Sequence, residues 1–122
     1  MRPHLAFTTL VAITAFSPAY GQDAAAGQKL FRSQCSICHS PQAGRNIIGP
    51  SLFGVVGRHS GRIPNFHYSQ ANLRSGLTWD PVTLDRYLTN PQQAVPGTLM
   101  TFPGLKNAQQ RADVIAYLAT LH

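Results

Sequence analysis

"CSICHS", residues 35–40, holds both cysteines of the 122-residue chain, Cys35 and Cys38, with His39 directly after the second. What such a cluster does depends on the compartment it works in, and the first 21 residues bear on that. "MRPHLAFTTLVAITAFSPAYG" has a basic start at Arg2, an apolar run from Leu5 to Phe16 and a helix-breaking Pro18. Ala19 and Gly21 stand at the −3 and −1 positions of a cut after Gly21. The pattern predicts a signal peptide over 1–21 and a single domain over 22–122, the right length for one small core. The apolar run is short for a membrane span, so a retained anchor is the weaker alternative. Export would place Cys35 and Cys38 in an oxidising compartment, where the pair could close into a disulfide, bind a metal or cycle as a redox couple.

Each of those readings leaves something over. A structural zinc site wants four ligands, and His59 and His67 lie in a Gly- and Pro-rich stretch with no companion cysteine. A thioredoxin-type pair belongs to a βαβ pattern, and no run of β-branched residues here is bounded as a strand. The reading that remains is c-type haem attachment, with two thiols added across the haem vinyl groups and His39 turned onto the iron. A pentapeptide of this kind also arises by chance. Its weight depends on a helix before it and a second axial ligand after it.

Both are present. Asp23 is a candidate N-cap for a helix whose Gly27, Leu30, Phe31 and Gln34 share one face, which delivers the cysteine pair to that helix's end. Near the other terminus, Asn107 with Gln110 resembles a capping box, and Val114, Tyr117, Leu118 and Leu121 recur at helical spacing. Gly27 would let the two terminal helices cross closely, setting Tyr117 against Phe31. Two shorter helices are predicted between them, Ser69 to Arg74 and Pro81 to Leu88, the second capped by Thr78 or Asp80. No internal repeat, low-complexity tract or linker interrupts the domain. So loop-rich a chain buries little apolar surface of its own, and a bound haem would form much of the core.

The second ligand needs a lone pair and some slack. Met100 is the one methionine left once Met1 is removed with the signal peptide. It lies in "NPQQAVPGTLMTFPG", where the Pro96-Gly97 and Pro103-Gly104 turns argue against a regular helix. A core-filling methionine normally sits on a periodic apolar face, so thioether ligation is the favoured reading. His59, His67 and His122 are its competitors.

With these residues assembled, the chain resembles the class I c-type cytochromes of the mitochondrial cytochrome c and bacterial cytochrome c2 kind, over nearly all of residues 23–120. The stretches that carry the likeness are "GQKLF", "CSICH", "GPSLFGVVGR", "YSQAN", "LTW", "YLTNP", "PGTLMTFPG" and "RADVIAYL", in the family's order. The resemblance implies an all-α fold of three main helices plus short ones around one covalent haem. It implies Cys35 and Cys38 as thioether anchors, with His39 and Met100 as axial ligands. Pro50 matches the residue whose carbonyl accepts the ligand histidine's free N–H. Arg58, Tyr68 and Trp79 match the groups that hydrogen-bond the haem propionates. Asn72, Tyr87 and Thr98 match a polar network beside the methionine.

The activity so implied is outer-sphere electron transfer without substrate chemistry, by a monomeric periplasmic carrier. A six-coordinate iron leaves no open position for a substrate, and a thioether ligand favours the ferrous state. The implied partners are redox proteins: a bc-type complex, an oxidase, a reaction centre or a dehydrogenase. A haem subunit of a dehydrogenase is the alternative, and a peroxidase or gas-binding protein with a labile Met100 a more distant one. Removing Arg2 leaves nine basic and four acidic residues. That excess suggests no nucleic acid, because no basic helix or aromatic-interleaved patch accompanies it. Its distribution departs from the lysine-ringed relatives. Only Lys29 and Lys106 remain, while Gln34, Gln92, Gln93, Leu99 and Asn107 stand where lysines commonly stand.

Overall fold

The computed structural model describes residues 21–122; the expected signal segment lies outside the described residues except for Gly21. Five helices follow in order among the described residues: α1 (Ala24–Gln34), α2 (Gln70–Arg74), α3 (Pro81–Thr89), α4 (Pro91–Ala94) and α5 (Ala108–Ala119). Among the described residues β pairing is confined to two isolated bridges, His39 with Asn46 and His59 with Thr78. No helix among them is long and apolar enough to cross a membrane.

Local chemistry explains where the helices start. Asp23 accepts from Ala26 N at 3.0 Å, Ser69 from Asn72 N at 3.1 Å and Asn107 from Gln110 N at 3.0 Å. Each satisfies one of the orphan N–H groups of a first turn. Asp80, not Thr78, caps α3, accepting from Thr83 N at 2.7 Å. Thr78 is engaged elsewhere, its hydroxyl 3.0 Å from His59 Nδ1.

The terminal helices cross at Gly27. A Cβ there would run into the backbone carbonyl of Asp113, so the position must be glycine for the helices to approach this closely. The Phe31 and Tyr117 rings meet beside the crossing at 5.3 Å and 58°, the contact expected from the sequence. Phe31 is 2 % exposed and Val114 1 % exposed. Truncating Phe31 to alanine would therefore cost about 3–5 kcal/mol. The buried stripe of α1 is narrower than its periodicity suggests. Leu30 is half-buried and Gln34 exposed, and the core contact passes from Phe31 to Cys35, one turn on.

The buried face of α5 includes two residues outside the expected series, Ile115 and Asp113. Asp113 is a buried carboxylate with partners: it accepts from Asp23 N at 3.0 Å and from Gln109 Nε2 at 2.8 Å, tying the start of α1 to α5. Asp85 and Arg111, paired at 2.7 Å, connect α3 to α5.

Between Asn90 and Gly104 the structure corrects the sequence reading. That stretch was expected to hold no regular helix, yet Pro91–Ala94 forms the single turn α4. Asn90 Oδ1 caps it through Gln93 N at 3.2 Å, and Pro91 occupies the first position, where a missing N–H costs nothing. The turn ends at Val95, before the Pro96-Gly97 reversal, as the proline rule requires. Beyond it the Met100 loop is fastened to the end of α3 by Leu105 N to Leu88 O at 2.7 Å and by Lys106 Nζ to Thr89 O at 2.5 Å.

Candidate functional site

Cys35 closes α1, its N–H bonded to Phe31 O at 2.9 Å. The chain then turns at once, with Cys38 N and His39 N both donating to Cys35 O at 3.1 and 2.9 Å. One tight turn thus presents both sulfurs and the imidazole together. The thiols are free and half-buried. Burial, reinforced by the nearby Cys38 sulfur, pushes the Cys35 thiol up to about 11. A redox-active pair needs a stabilised thiolate, and this environment does the opposite.

His39 is held firmly. Its Nδ1 lies 2.7 Å from Pro50 O, so the ring N–H is on Nδ1 and the lone pair on Nε2. Burial lowers its pKa; the Pro50 bond opposes this, and the Arg58 charge adds to it. Gly49 fits against the ring face so closely that a Cβ there would lie 2.6 Å from Nδ1 and 2.8 Å from Nε2. Its N–H is bonded to Cys38 O at 2.7 Å, which ties the Gly49-Pro50 step to the cysteine turn. Gly49 was not singled out from the sequence. The cue available was its place immediately before the expected Pro50.

Met100 occupies a second cluster, which unites Asn72, Tyr87 and Thr98 as expected. Tyr87 OH donates to Met100 Sδ at 3.4 Å and lies 3.4 Å from Thr98 Oγ1. Thr98 Oγ1 in turn accepts from Asn72 Nδ2 at 3.4 Å and from Met100 N at 3.3 Å. Burial raises the Tyr87 pKa, with the Thr98 bond opposing, which keeps the phenol protonated and able to donate. Met100 and Cys35 pack against one common core.

Arg58, Tyr68 and Trp79 are less tightly gathered. Arg58 donates to Ser51 O at 3.0 Å and Phe53 O at 3.2 Å, and burial lowers its pKa. Its carbonyl receives Trp79 N at 2.8 Å, and the Trp79 ring meets Tyr87 at 4.8 Å, linking this group to the methionine cluster. Tyr68 OH accepts from Ile63 N at 3.1 Å, which leaves its own proton free for an anionic acceptor. Ser51, fully buried and donating to Gln42 O at 2.6 Å, braces the loop beneath Arg58 and was also missed from the sequence.

Two surface cavities flank the site. One of about 390 Å³ lies between His59, Arg62 and Leu73, and one of about 440 Å³ between Ala71, Arg74 and Val95, with Leu77 in both walls. His39 and Met100 line neither. The donor set itself is the better guide to a ligand. Two reduced thiols on one turn, an imidazole with Nε2 free and a thioether with an ordered neighbourhood are suited to a covalently anchored, six-coordinate haem iron.

Helices around a shared core, with the two thiols and the imidazole at the end of α1 and the thioether on the loop between α4 and α5, define a class I c-type cytochrome fold. The family model described as Cytochrome c matches residues 24–122. A cytochrome c2 of Rhodopila globiformis is 52 % identical over 99 residues, covering 81 % of this chain and 93 % of that protein. A cytochrome c of Euglena viridis is 48 % identical over 99 residues, covering 81 % and 97 %. Among solved structures, cytochrome cH from Methylobacterium extorquens is similar at a TM-score of 0.76 and 44 % identity, covering 80 % of this chain and 98 % of that one. The chain belongs to the cytochrome c family. It is a single-haem electron carrier, and its two cysteines fit one covalently attached haem c.

Proposed function

We propose that Cys35 and Cys38 are the thioether anchors of the haem, and that His39 Nε2 and Met100 Sδ would hold its iron. The observation that carries this is the 2.7 Å bond from His39 Nδ1 to Pro50 O, one residue beyond two free thiols. It fixes the tautomer that leaves Nε2 as the donor and raises that nitrogen's basicity. Bound there, the haem supplies a one-electron ferric/ferrous couple. The chain's own part is to keep both ligands in place in either oxidation state. Tyr87 and Thr98 orient the thioether, and Arg58, Tyr68 and Trp79 offer donors to the haem carboxylates. With His39 and Met100 both committed to the iron, no open coordination position would be left for substrate chemistry. The chain acts as an outer-sphere carrier rather than an enzyme.

The partners are redox proteins such as a bc-type complex, an oxidase, a reaction centre or a dehydrogenase, met by a monomer exported to the periplasm after cleavage at Gly21. Docking relies on apolar contact. Ile37, between the two cysteines, is 74 % exposed and Ile48 71 % exposed, and the Cys38 O to Gly49 N bond holds their segments side by side. Leu99, next to Met100, is equally open. Lys106 is committed to the carbonyls of Thr89 and Pro103, which supports a face with few free cations.

Intact mass and a spectrum of the purified protein test the reading together. The mass should equal residues 22–122 plus one haem that survives acid–organic extraction. A colourless polypeptide with free thiols or a disulfide would contradict it.

A further inference from the structure

Gln92, second residue of α4, sends its side-chain amide to the loop that carries Met100. Its Nε2 donates to the carbonyl oxygens of both Thr98 and Met100, each at 3.1 Å. A primary amide holds two N–H bonds at a fixed angle, so one side chain can bridge two acceptors two residues apart. The base of this bridge is rigid. Pro91 is buried at the start of the turn, Ala94 N bonds Asn90 O at 3.0 Å, and Val95 N bonds Pro91 O at 2.9 Å. Met100 is thereby engaged at three separate atoms: its N by Thr98 Oγ1, its Sδ by Tyr87 and its O by Gln92.

We propose that Gln92 is a positioning residue that clamps the Met100 loop closed and so makes the methionine harder to displace from the iron. This rests on Met100 as an axial ligand. Displacement requires the 98–100 backbone to move, which breaks both amide bonds. A competing ligand's apparent affinity is its intrinsic affinity scaled by the fraction of molecules with the loop open. Whatever stabilises the closed loop lowers that fraction by the corresponding Boltzmann factor. A glutamate at 92 keeps the shape but turns the two donors into acceptors facing carbonyls. A leucine removes the donors without adding charge. Gln93, the next residue, is exposed and its side chain makes no bond to the loop, so a glutamate there adds the same charge without touching the clamp.

Imidazole titration of the ferric haem-loaded protein tests this, with hydrogen exchange at the Met100 amide as a second readout. Gln92→Glu and Gln92→Leu should both bind imidazole about tenfold more tightly than the parent, the scale of one to two net hydrogen bonds. The Met100 amide should exchange faster by a similar factor, and Gln93→Glu should match the parent in both. A parent that shows the sulfur-to-iron charge-transfer band, with Gln92 variants within twofold of it in affinity and exchange, overturns the clamp alone. A parent that lacks the band overturns methionine ligation and the clamp with it.

Discussion

The two proposed iron ligands are held in different ways. Around His39 the contacts are short and mostly backbone: 2.7 Å to Pro50 O, a 2.7 Å bond from Gly49 N to Cys38 O, and a glycine flush against the ring. Around Met100 they run through side chains drawn from separate segments: contacts of 3.3–3.4 Å among residues 72, 87, 98 and 100, and the Gln92 amide at 3.1 Å from the Met100 carbonyl. Sulfur's size accounts for the length of the Tyr87 bond, but not for the 3.4 Å separations among hydroxyl and amide groups, which lie beyond the usual range. A backbone-bonded imidazole is fixed by covalent geometry within a few residues. A thioether on a turn-bounded loop depends on several distant groups being in place together. The histidine side is thus the more rigidly held half of the site, and the methionine side is the half expected to open first.

The strongest way to break this comparison is to damage the rigid half. Gly49→Ala puts a methyl group into the His39 ring, and the loop cannot yield without losing the Pro50 bond. The haem-loaded protein should lose about 3 kcal/mol of stability, the upper range for overpacking a tight site. Denaturant unfolding measures it, and a loss under about 0.5 kcal/mol would mean that the histidine side has slack.

A smaller change sharpens the other half. Tyr87→Phe removes the donor to Met100 Sδ while keeping the ring against Trp79. The O–H draws electron density from the sulfur and so disfavours the ferric state; its loss should lower the reduction potential, with a stability change of about 1 kcal/mol or less. Voltammetry of the two proteins decides the sign, and an unchanged or raised potential would show that the 3.4 Å contact carries no tuning.

The smallest effect is on the surface. Leu99→Lys should leave the fold and spectrum unaltered but steepen the salt dependence of electron transfer with an acidic partner. Stopped-flow rates from low to high salt provide the comparison. A steep fall for the unmutated protein would mean that its arginines, rather than Ile37, Ile48 and Leu99, guide the encounter.

What the sequence made legible follows from distance along the chain. The caps at Asp23, Ser69 and Asn107 act over three residues, and the cysteine turn over five, so residue order alone exposes them. The Phe31–Tyr117 contact spans the whole domain, yet Gly27 advertised the crossing. Other features had no such marker. Asp113 reaches Asp23 N across 90 positions, and Arg111 reaches Asp85 across 26; in the sequence each reads as an ordinary surface charge on a helix. Gln92 read only as a missing lysine, because nothing local shows that its amide faces two carbonyls. The α4 turn was hidden by the prolines around it, although Asn90-Pro91 is a favourable helix start. The resemblance to the family pointed to the groups proposed to hold the haem and to their nearest braces, Pro50, Tyr87 and Thr98; it did not point to Gly49, Ser51 or Gln92, which hold the loops behind them.

The sulfur-to-iron charge-transfer band of the ferric protein at neutral pH tests the central claim, that a rigidly held His39 and a loop-borne Met100 together bind the iron. The account predicts the band in the parent and its loss in Met100→Ala, with the haem still covalently attached and the potential lowered. A parent without the band, or a Met100→Ala protein that keeps it, would contradict the account.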